Sequence, residues 1–268
     1  MITSCEEFDF KVEDNIGIIS IHRPPVNAWN ENIRVGLSEI FESLNKRTDV
    51  YVVILRADGK GFSGGTDVAE FRNPDPEFRK RIPLTVSRVT KAAYNCRVPI
   101  ITAIQGYAIG LGFAVASVSD ITICSDDSYF QFPEINVGTV GGPFWLKRII
   151  PDSVARYYFY TGKRISVDEM YRFGAVLRVV PREKLMDTAL EIAHEITEKY
   201  PAAIWATKQV IIEGEKEMQD VIDISDRMRH KGNNELLAGD PNKGEMSKAF
   251  LEHRKPVYDL SFLNKEEK

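Results

Sequence analysis

The chain has 268 residues, 43% hydrophobic and 28% charged, which supplies one sizeable core and excludes a disordered chain. Its formal net charge of −4 disfavours a general nucleic-acid surface, and the basic cluster Arg79-Lys80-Arg81 reads as a solvated helix face. Cys5, Cys96 and Cys124 lack metal-ligand or redox spacing, no apolar run approaches the roughly 18 residues of a membrane span, and no basic or apolar leader follows Met1; a reduced, cytoplasmic chain outside the membrane is expected.

Phe8 to Val12 and Ile16 to His22 read as paired strands about the turn Glu13-Asp14-Asn15, with Ile16, Ile18 and Ile21 as core candidates. Pro24-Pro25 stops the second strand. Asn30 suits a helix cap, after which Ile33, Leu37, Ile40, Phe41 and Leu44 share one helical face. Asn27 and Trp29, at the helix entrance, suit turn and staple contacts as well as ligand contact. Val50 to Arg56 is a β-branched run of the kind buried on both faces of a sheet.

Gly59-Lys60-Gly61-Phe62-Ser63-Gly64-Gly65-Thr66-Asp67-Val68 follows that strand directly. Phe71 to Pro83 is polar and rich in proline and charge, a pocket wall or lid of the sort that sets specificity. Leu84, Arg88 and Ala92 suggest a further helix ending before Pro99. Pro99 to Ile104 then repeats the pattern: a strand, the three-glycine turn Gln105-Gly106-Tyr107-Ala108-Ile109-Gly110-Leu111-Gly112, and a small-residue helix starting near Leu111. Ile121 to Ser125 and Tyr129 to Phe132 are short strands. Helices are expected at Val154 to Thr161, Ser166 to Phe173 and Arg182 to Lys199, where Leu185, Ala189, Ile192 and Ile196 share a face, with a last short strand within Gly174 to Val180. Ala202 to Glu213, Glu215 to Leu237 and Lys243 to Arg254 form a helix cluster too small for a core of its own. Residues 1–200 are thus expected to form the main unit, and 201–268 a helical region that packs on it or on a neighbour.

A strand-glycine-helix turn lets backbone approach a ligand closely, and the helix start after it presents unpaired N–H groups. Such groups hold either a bound phosphate or an oxyanion that develops during a reaction. Either turn alone fits plain turn geometry. Two of them would supply one N–H each.

Together with their flanking motifs, these turns resemble the crotonase superfamily, also called the enoyl-CoA hydratase/isomerase family. Arg23-Pro24-Pro25-Val26-Asn27-Ala28 is similar to its first motif, Gly61 to Asp67 to its second, Gln105 to Gly112 to its third, Phe132-Pro133-Glu134-Ile135-Asn136-Val137-Gly138 to its fourth, and Phe250 to Pro256 to its usual ending. The resemblance implies an α/β spiral of repeated ββα units with a C-terminal helical trimerisation region, assembled as a homotrimer or a dimer of trimers. It implies an acyl-CoA thioester as substrate, with no cofactor beyond the coenzyme A that the substrate carries, and no metal. By position, the N–H groups of Thr66 and Leu111 would polarise the thioester carbonyl and Glu134 would be the acid/base. Arg23, Val26, Ala28, Gly64, Gly65, Asp67, Gly110 and Lys255 would border the coenzyme A, although a carboxylate at Asp67, in a first helical turn, also suits a structural role. His253 stands where a lysine is common.

Hydratases of that family carry two glutamates, and here the first position is Ala114 and the second Glu134. A single base suits moving a proton between carbons, whereas hydration also requires a water to be placed and activated. Gly142-Pro143-Phe144-Trp145-Leu146-Lys147 resembles the segment after the lone glutamate of mitochondrial-type Δ3,Δ2-enoyl-CoA isomerases, with Phe144 and Trp145 either core or substrate lining. A double-bond shift in an enoyl-CoA is therefore expected. A hydratase/lyase or hydrolase on an unusual acyl-CoA, with Tyr94 or Asn136 reaching the acyl chain, and an inactive acyl-CoA binder are the alternatives. His22, His194, His230 and His253 show no triad or metal spacing.

Overall fold

The computed structural model describes residues 4–215 and 244–259, together with 220, 223, 227 and 242. An antiparallel hairpin opens it: β2 (Phe8–Glu13) faces β3 (Ile16–Ile21), with Phe8 opposite Ile21 and Glu13 opposite Ile16. The link, Asp14-Asn15, has φ of 50° and 63°, the left-handed pair that matches strand twist and that short polar side chains tolerate. Ile16 and Ile21 are buried as expected, Ile18 only partly, and Ile19 joins the core. β1 (Ser4–Cys5) edges β2.

From β3 onward the main sheet is parallel, through β4 (Val52–Ala57), β5 (Ile100–Ile104), β7 (Ile121–Ser125) and β10 (Arg178–Val180), in the order β1-β2-β3-β4-β5-β7-β10. A second sheet joins β6 (Tyr107–Ile109), β8 (Tyr129–Gln131) and β9 (Arg164–Ser166) in that order. β6 lies inside the expected glycine turn, and β9 was not foreseen; three residues are too few to display a period.

Helices cover both faces of the main sheet, which is why β4 and β5 are mostly apolar, Arg56 and Thr102 excepted, and β5 is buried along its whole length. On one face lie α1 (Glu31–Leu44), α2 (Pro76–Tyr94) and α3 (Leu111–Val118). α1 starts where Asn30 Oδ1 accepts the Ile33 amide at 3.1 Å, and buries Ile33, Leu37, Ile40, Phe41 and Leu44 to 1% exposure or less. Each such side chain stabilises the fold by about 1.5–3 kcal/mol. The opposite face is covered by α7 (Leu185–Thr197), whose Leu185, Ala189 and Ile192 pack on Val52, Ile54 and Ile123.

The polar stretch before Leu84 is helical rather than irregular. α2 begins at Pro76, whose missing N–H costs nothing in a first turn, and Asp75 caps it by accepting the Glu77 amide at 2.9 Å. Pro83 sits inside the helix, and the residue four before it, Arg79, is exposed, so its carbonyl can turn to water. A buried guanidinium fixes the helix in place. Arg34 of α1, fully buried, donates to Trp29 O and Glu70 Oε2 at 2.7 Å each and to Thr85 Oγ1 of α2 at 2.8 Å.

α4 (Pro143–Lys147), α5 (Asp152–Thr161) and α6 (Val167–Arg172) follow the second sheet. α8 (Pro201–Gly214) is held to the core by Lys208 Nζ, 2.6 Å from Asp120 Oδ2 and 3.0 Å from Val98 O. α9 (Glu245–Leu251) packs on the Glu134–Val137 turn. The helix expected over 215–237 falls outside the described residues except for 215, 220, 223 and 227. Among the described residues no helix is long and apolar enough to cross a membrane.

Removing one partner of a buried ion pair strands the other charge. Glu70→Ala should therefore cost about 3–5 kcal/mol in urea unfolding; a loss below about 1 kcal/mol would show that Arg34 does not depend on Glu70.

Candidate active site

The site forms where β4 and β5, adjacent parallel strands, release their loops on the same side of the sheet. The first loop has no ladder of its own, and side chains brace it. Asn27 Nδ2 donates to Asp58 O at 2.7 Å and Gly61 O at 2.8 Å, Gln105 Nε2 to Ala57 O at 2.6 Å, and Arg182 Nη2 to Lys60 O at 2.9 Å and Asp127 Oδ2 at 2.7 Å. Backbone bonds continue the bracing: Gly64 N–H to Val26 O at 2.8 Å, Trp29 N–H to Gly65 O at 2.7 Å, and Asp67 N–H to Trp29 O at 3.1 Å. The role of Arg182 was not visible in the sequence, because its partners lie 122 and 55 residues away.

Two glycines carry the turns. Gly65 has φ +92°, and Gly110 has φ +51° with ψ −117°, conformations that a side chain rarely allows. They also touch. A methyl group on Gly65 would lie 3.1 Å from Ile109 O, and one on Gly110 would lie 3.8 Å from Gly65 Cα and 3.2 Å from Glu134 Oε1. The two turns and the carboxylate therefore meet at one point.

The amides of Thr66 and Leu111 follow these two glycines. Neither donates a hydrogen bond among the described residues. Leu111 is the first residue of α3, where an intrahelical partner is impossible, and no side chain caps that end. The first intrahelical bond is Ala114 N–H to Gly110 O at 2.9 Å.

Glu134 opens a 3-10 turn directly after β8. Phe132 anchors the approach, stacked between Phe113 of α3 at 4.7 Å and Phe159 of α5 at 4.9 Å. The turn is tied by Thr139, whose N–H and Oγ1 donate to Glu134 O at 3.0 and 3.2 Å. On its other side the carboxylate faces Gly141, where a methyl group would come within 3.1 Å of the carboxyl carbon. Glu134 Oε2 is shielded from solvent. Ala114, 5% exposed, occupies the position at which a two-acid site would carry its other carboxylate.

The remaining expected residues divide. Arg23 and Asp67 are engaged with each other at 2.7 Å, and Arg23 also reaches Glu7 Oε1 at 2.9 Å and Ala28 O at 2.8 Å. Asp67 further caps the Val68–Arg72 turn by accepting the Ala69 amide at 3.0 Å. Both therefore build the loop's frame. Val26 is exposed, Ala28 half-buried, and Val26 O lies against Gly64. Lys255 is exposed and makes no side-chain hydrogen bond among the described residues; beside it, Arg254 bonds Glu245, which holds that carboxyl down at about 2.

Tyr94 and Asn136 turn to protein partners. The Tyr94 hydroxyl donates to Glu215 Oε2 at 2.6 Å, and burial together with that carboxylate pushes its pKa well above the ordinary value. Asn136 Nδ2 donates to Gly162 O at 3.3 Å. Trp145 is buried and Phe144 half-buried. Among the described residues no group of three or more His, Cys, Asp or Glu is placed to hold a metal.

The model of a family described as Enoyl-CoA hydratase/isomerase matches residues 11–260. The (7aS)-7a-methyl-1,5-dioxo-2,3,5,6,7,7a-hexahydro-1H-indene-carboxyl-CoA hydrolase of Rhodococcus jostii (strain RHA1) is 33% identical over 200 residues, 74% of this chain and 77% of that protein. The short-chain-enoyl-CoA hydratase of Clostridium acetobutylicum is 30% identical over 248 residues, 91% of this chain and 94% of that one. Carnitinyl-CoA dehydratase of Escherichia coli (strain K12) is 34% identical over 199 residues, 72% and 75% of the two chains. The crystal structure of enoyl-CoA hydratase/isomerase from Pseudoalteromonas atlantica T6c superposes with a TM-score of 0.84 at 25% identity, covering 95% of this chain and 100% of that one.

Gly110→Ala forces a side chain into φ +51° and against Glu134. It should cost about 1–3 kcal/mol in urea unfolding; stability equal to the parent would mean that this turn is not constrained as described.

Proposed function

The chain belongs to the enoyl-CoA hydratase/isomerase family and is an acyl-CoA enzyme, and from that premise we propose that it shifts a double bond in an enoyl-CoA with Glu134 as its single acid and base. The Thr66 and Leu111 amides receive the thioester oxygen. As they polarise the carbonyl, the C2 proton becomes acidic enough for a carboxylate to remove, and negative charge moves onto the oxygen they hold. Glu134 breaks the C2–H bond of a 3-enoyl-CoA, the electrons delocalise through a dienolate, and the same carboxyl delivers the proton to C4. The double bond moves from C3=C4 to C2=C3 and no atom is gained or lost.

The Glu134 carboxylate stands where a methyl group on Gly110 would meet it at 3.2 Å, and this closeness supports the reading most directly, because the amide after Gly110 is one of the two donors. Base and oxyanion site thus share a wall. Ala114 leaves no second carboxylate on α3 to place a water. Each hole donor is worth about 10²–10³ in rate and a positioned acid/base about 10²–10⁴.

Coenzyme A runs over the lip formed by Val26, Ala28 and Gly64, with Lys255 as a basic contact and with Arg23 and Asp67 shaping the lip from beneath. No further cofactor is needed for a proton transfer of this kind. The C-terminal region over 201–268 serves association as a homotrimer or a dimer of trimers in the cytoplasm. The names of the relatives favour a second reading, in which the same enolate geometry serves hydration, dehydration or hydrolysis of an unusual acyl-CoA.

Wild type and Glu134→Gln, incubated with 3-enoyl-CoA and 2-enoyl-CoA in deuterated water and read by mass and double-bond position, distinguish the two. The expected outcome is a double-bond shift without gain of water, slowed about 10²–10⁴-fold in Glu134→Gln. Uptake of water or release of coenzyme A would replace the isomerase reading with the second one.

A further inference from the structure

Gly162 O, at the C-terminal end of α5, accepts two side-chain amides at once: Gln131 Nε2 at 2.7 Å and Asn136 Nδ2 at 3.3 Å. A carbonyl oxygen has two lone pairs, so both fit. Gln131 ends β8 three residues before Glu134, and Asn136 stands two residues after it. The catalytic turn is thus pinned on both flanks to one fixed atom. Gly162 itself has φ +58°, and a methyl group there would lie 2.5–2.8 Å from the Asn136 carboxamide, so the amide packs flat on the glycine.

Gln131 also touches the other half of the site. Its backbone carbonyl accepts the Gly110 N–H at 2.9 Å, immediately before the Leu111 amide. One residue therefore links the oxyanion turn through its main chain to the end of α5 through its side chain, and Glu134 lies between the two. We infer that Gln131 and Asn136 are positioning residues that set the distance from the Glu134 carboxylate to the Leu111 amide by clamping onto Gly162 O. Neither touches the reacting atoms. Their effect is on where the base stands, and a displacement of about 1 Å is worth as much as 10²-fold in rate.

The inference rests on Glu134 being the base, and its test separates the two claims. Asn136→Leu, close in volume but without a donor, and Gln131→Ala should each lower kcat about 10- to 100-fold, with KM for the acyl-CoA and the thermal midpoint near those of wild type. The double variant should lose less than the product of the two single losses, since both break one clamp. Independently of turnover, the amides of Asn136, Gly138 and Thr139, which donate within the turn, should exchange with deuterium at least about tenfold faster in both variants. Unchanged exchange in that turn, or a loss of kcat accompanied by a matching fall in thermal midpoint, would overturn the clamp. Absence of turnover in wild type would instead refute the double-bond shift with Glu134 as base, and the exchange rates would still decide the clamp.

Discussion

The backbone of Gly65 lies against that of Ile109 and Gly110, where even a methyl group would meet Ile109 O at 3.1 Å. This approach is possible because β4 and β5 are neighbouring parallel strands whose loops leave the same end of the sheet. A short bridge of Ser63 with Ala108 then holds the turns side by side, and one of Trp29 with Thr66 ties the first turn to the segment before α1. The amides after both glycines are left without internal partners among the described residues. An unpaired buried amide is unfavourable in itself. At this junction it is what gives an incoming carbonyl its place.

Charged residues mostly hold the frame rather than present themselves to ligand. Arg23, Arg34, Arg182 and Lys208 each end on a backbone carbonyl and a carboxylate of a different segment. Loops that lack a hydrogen-bond ladder need such partners, and a half-buried charge is tolerable when it is paired and hydrogen-bonded. Surface pairs such as Lys80 with Glu77, about 70% exposed on both sides, add little by comparison. Rigidity at the junction follows from the inner braces.

Much of this was legible in the residues. The first hairpin, α1 and α7 carry full periods of apolar positions, and the glycine turns, Pro133-Glu134 and Ala114 sit in motifs whose order is itself informative. What escaped has physical reasons. Pro74, Pro76 and Pro83 made the start of α2 look irregular, although capping by Asp75 and an exposed flank permit a helix there. β6 and β9 are too short to show alternation. Arg23 and Asp67 stand in two motifs expected to border the coenzyme A, and that they also bond each other, 44 residues apart in the chain, is a pairing that neither motif records. The partner of Asn136 lies 26 residues away and that of Gln131 31 residues away, and each partner is a backbone atom, which no side-chain pattern records.

A crystal structure of the protein with a non-reactive acyl-CoA analogue tests the central claim most directly, namely that two backbone amides and one carboxylate share a single reacting centre. The account predicts the thioester oxygen within about 3.2 Å of both Thr66 N and Leu111 N, with C2 turned towards the Glu134 carboxylate. A thioester oxygen bound away from either amide, or C2 facing away from Glu134, would contradict it.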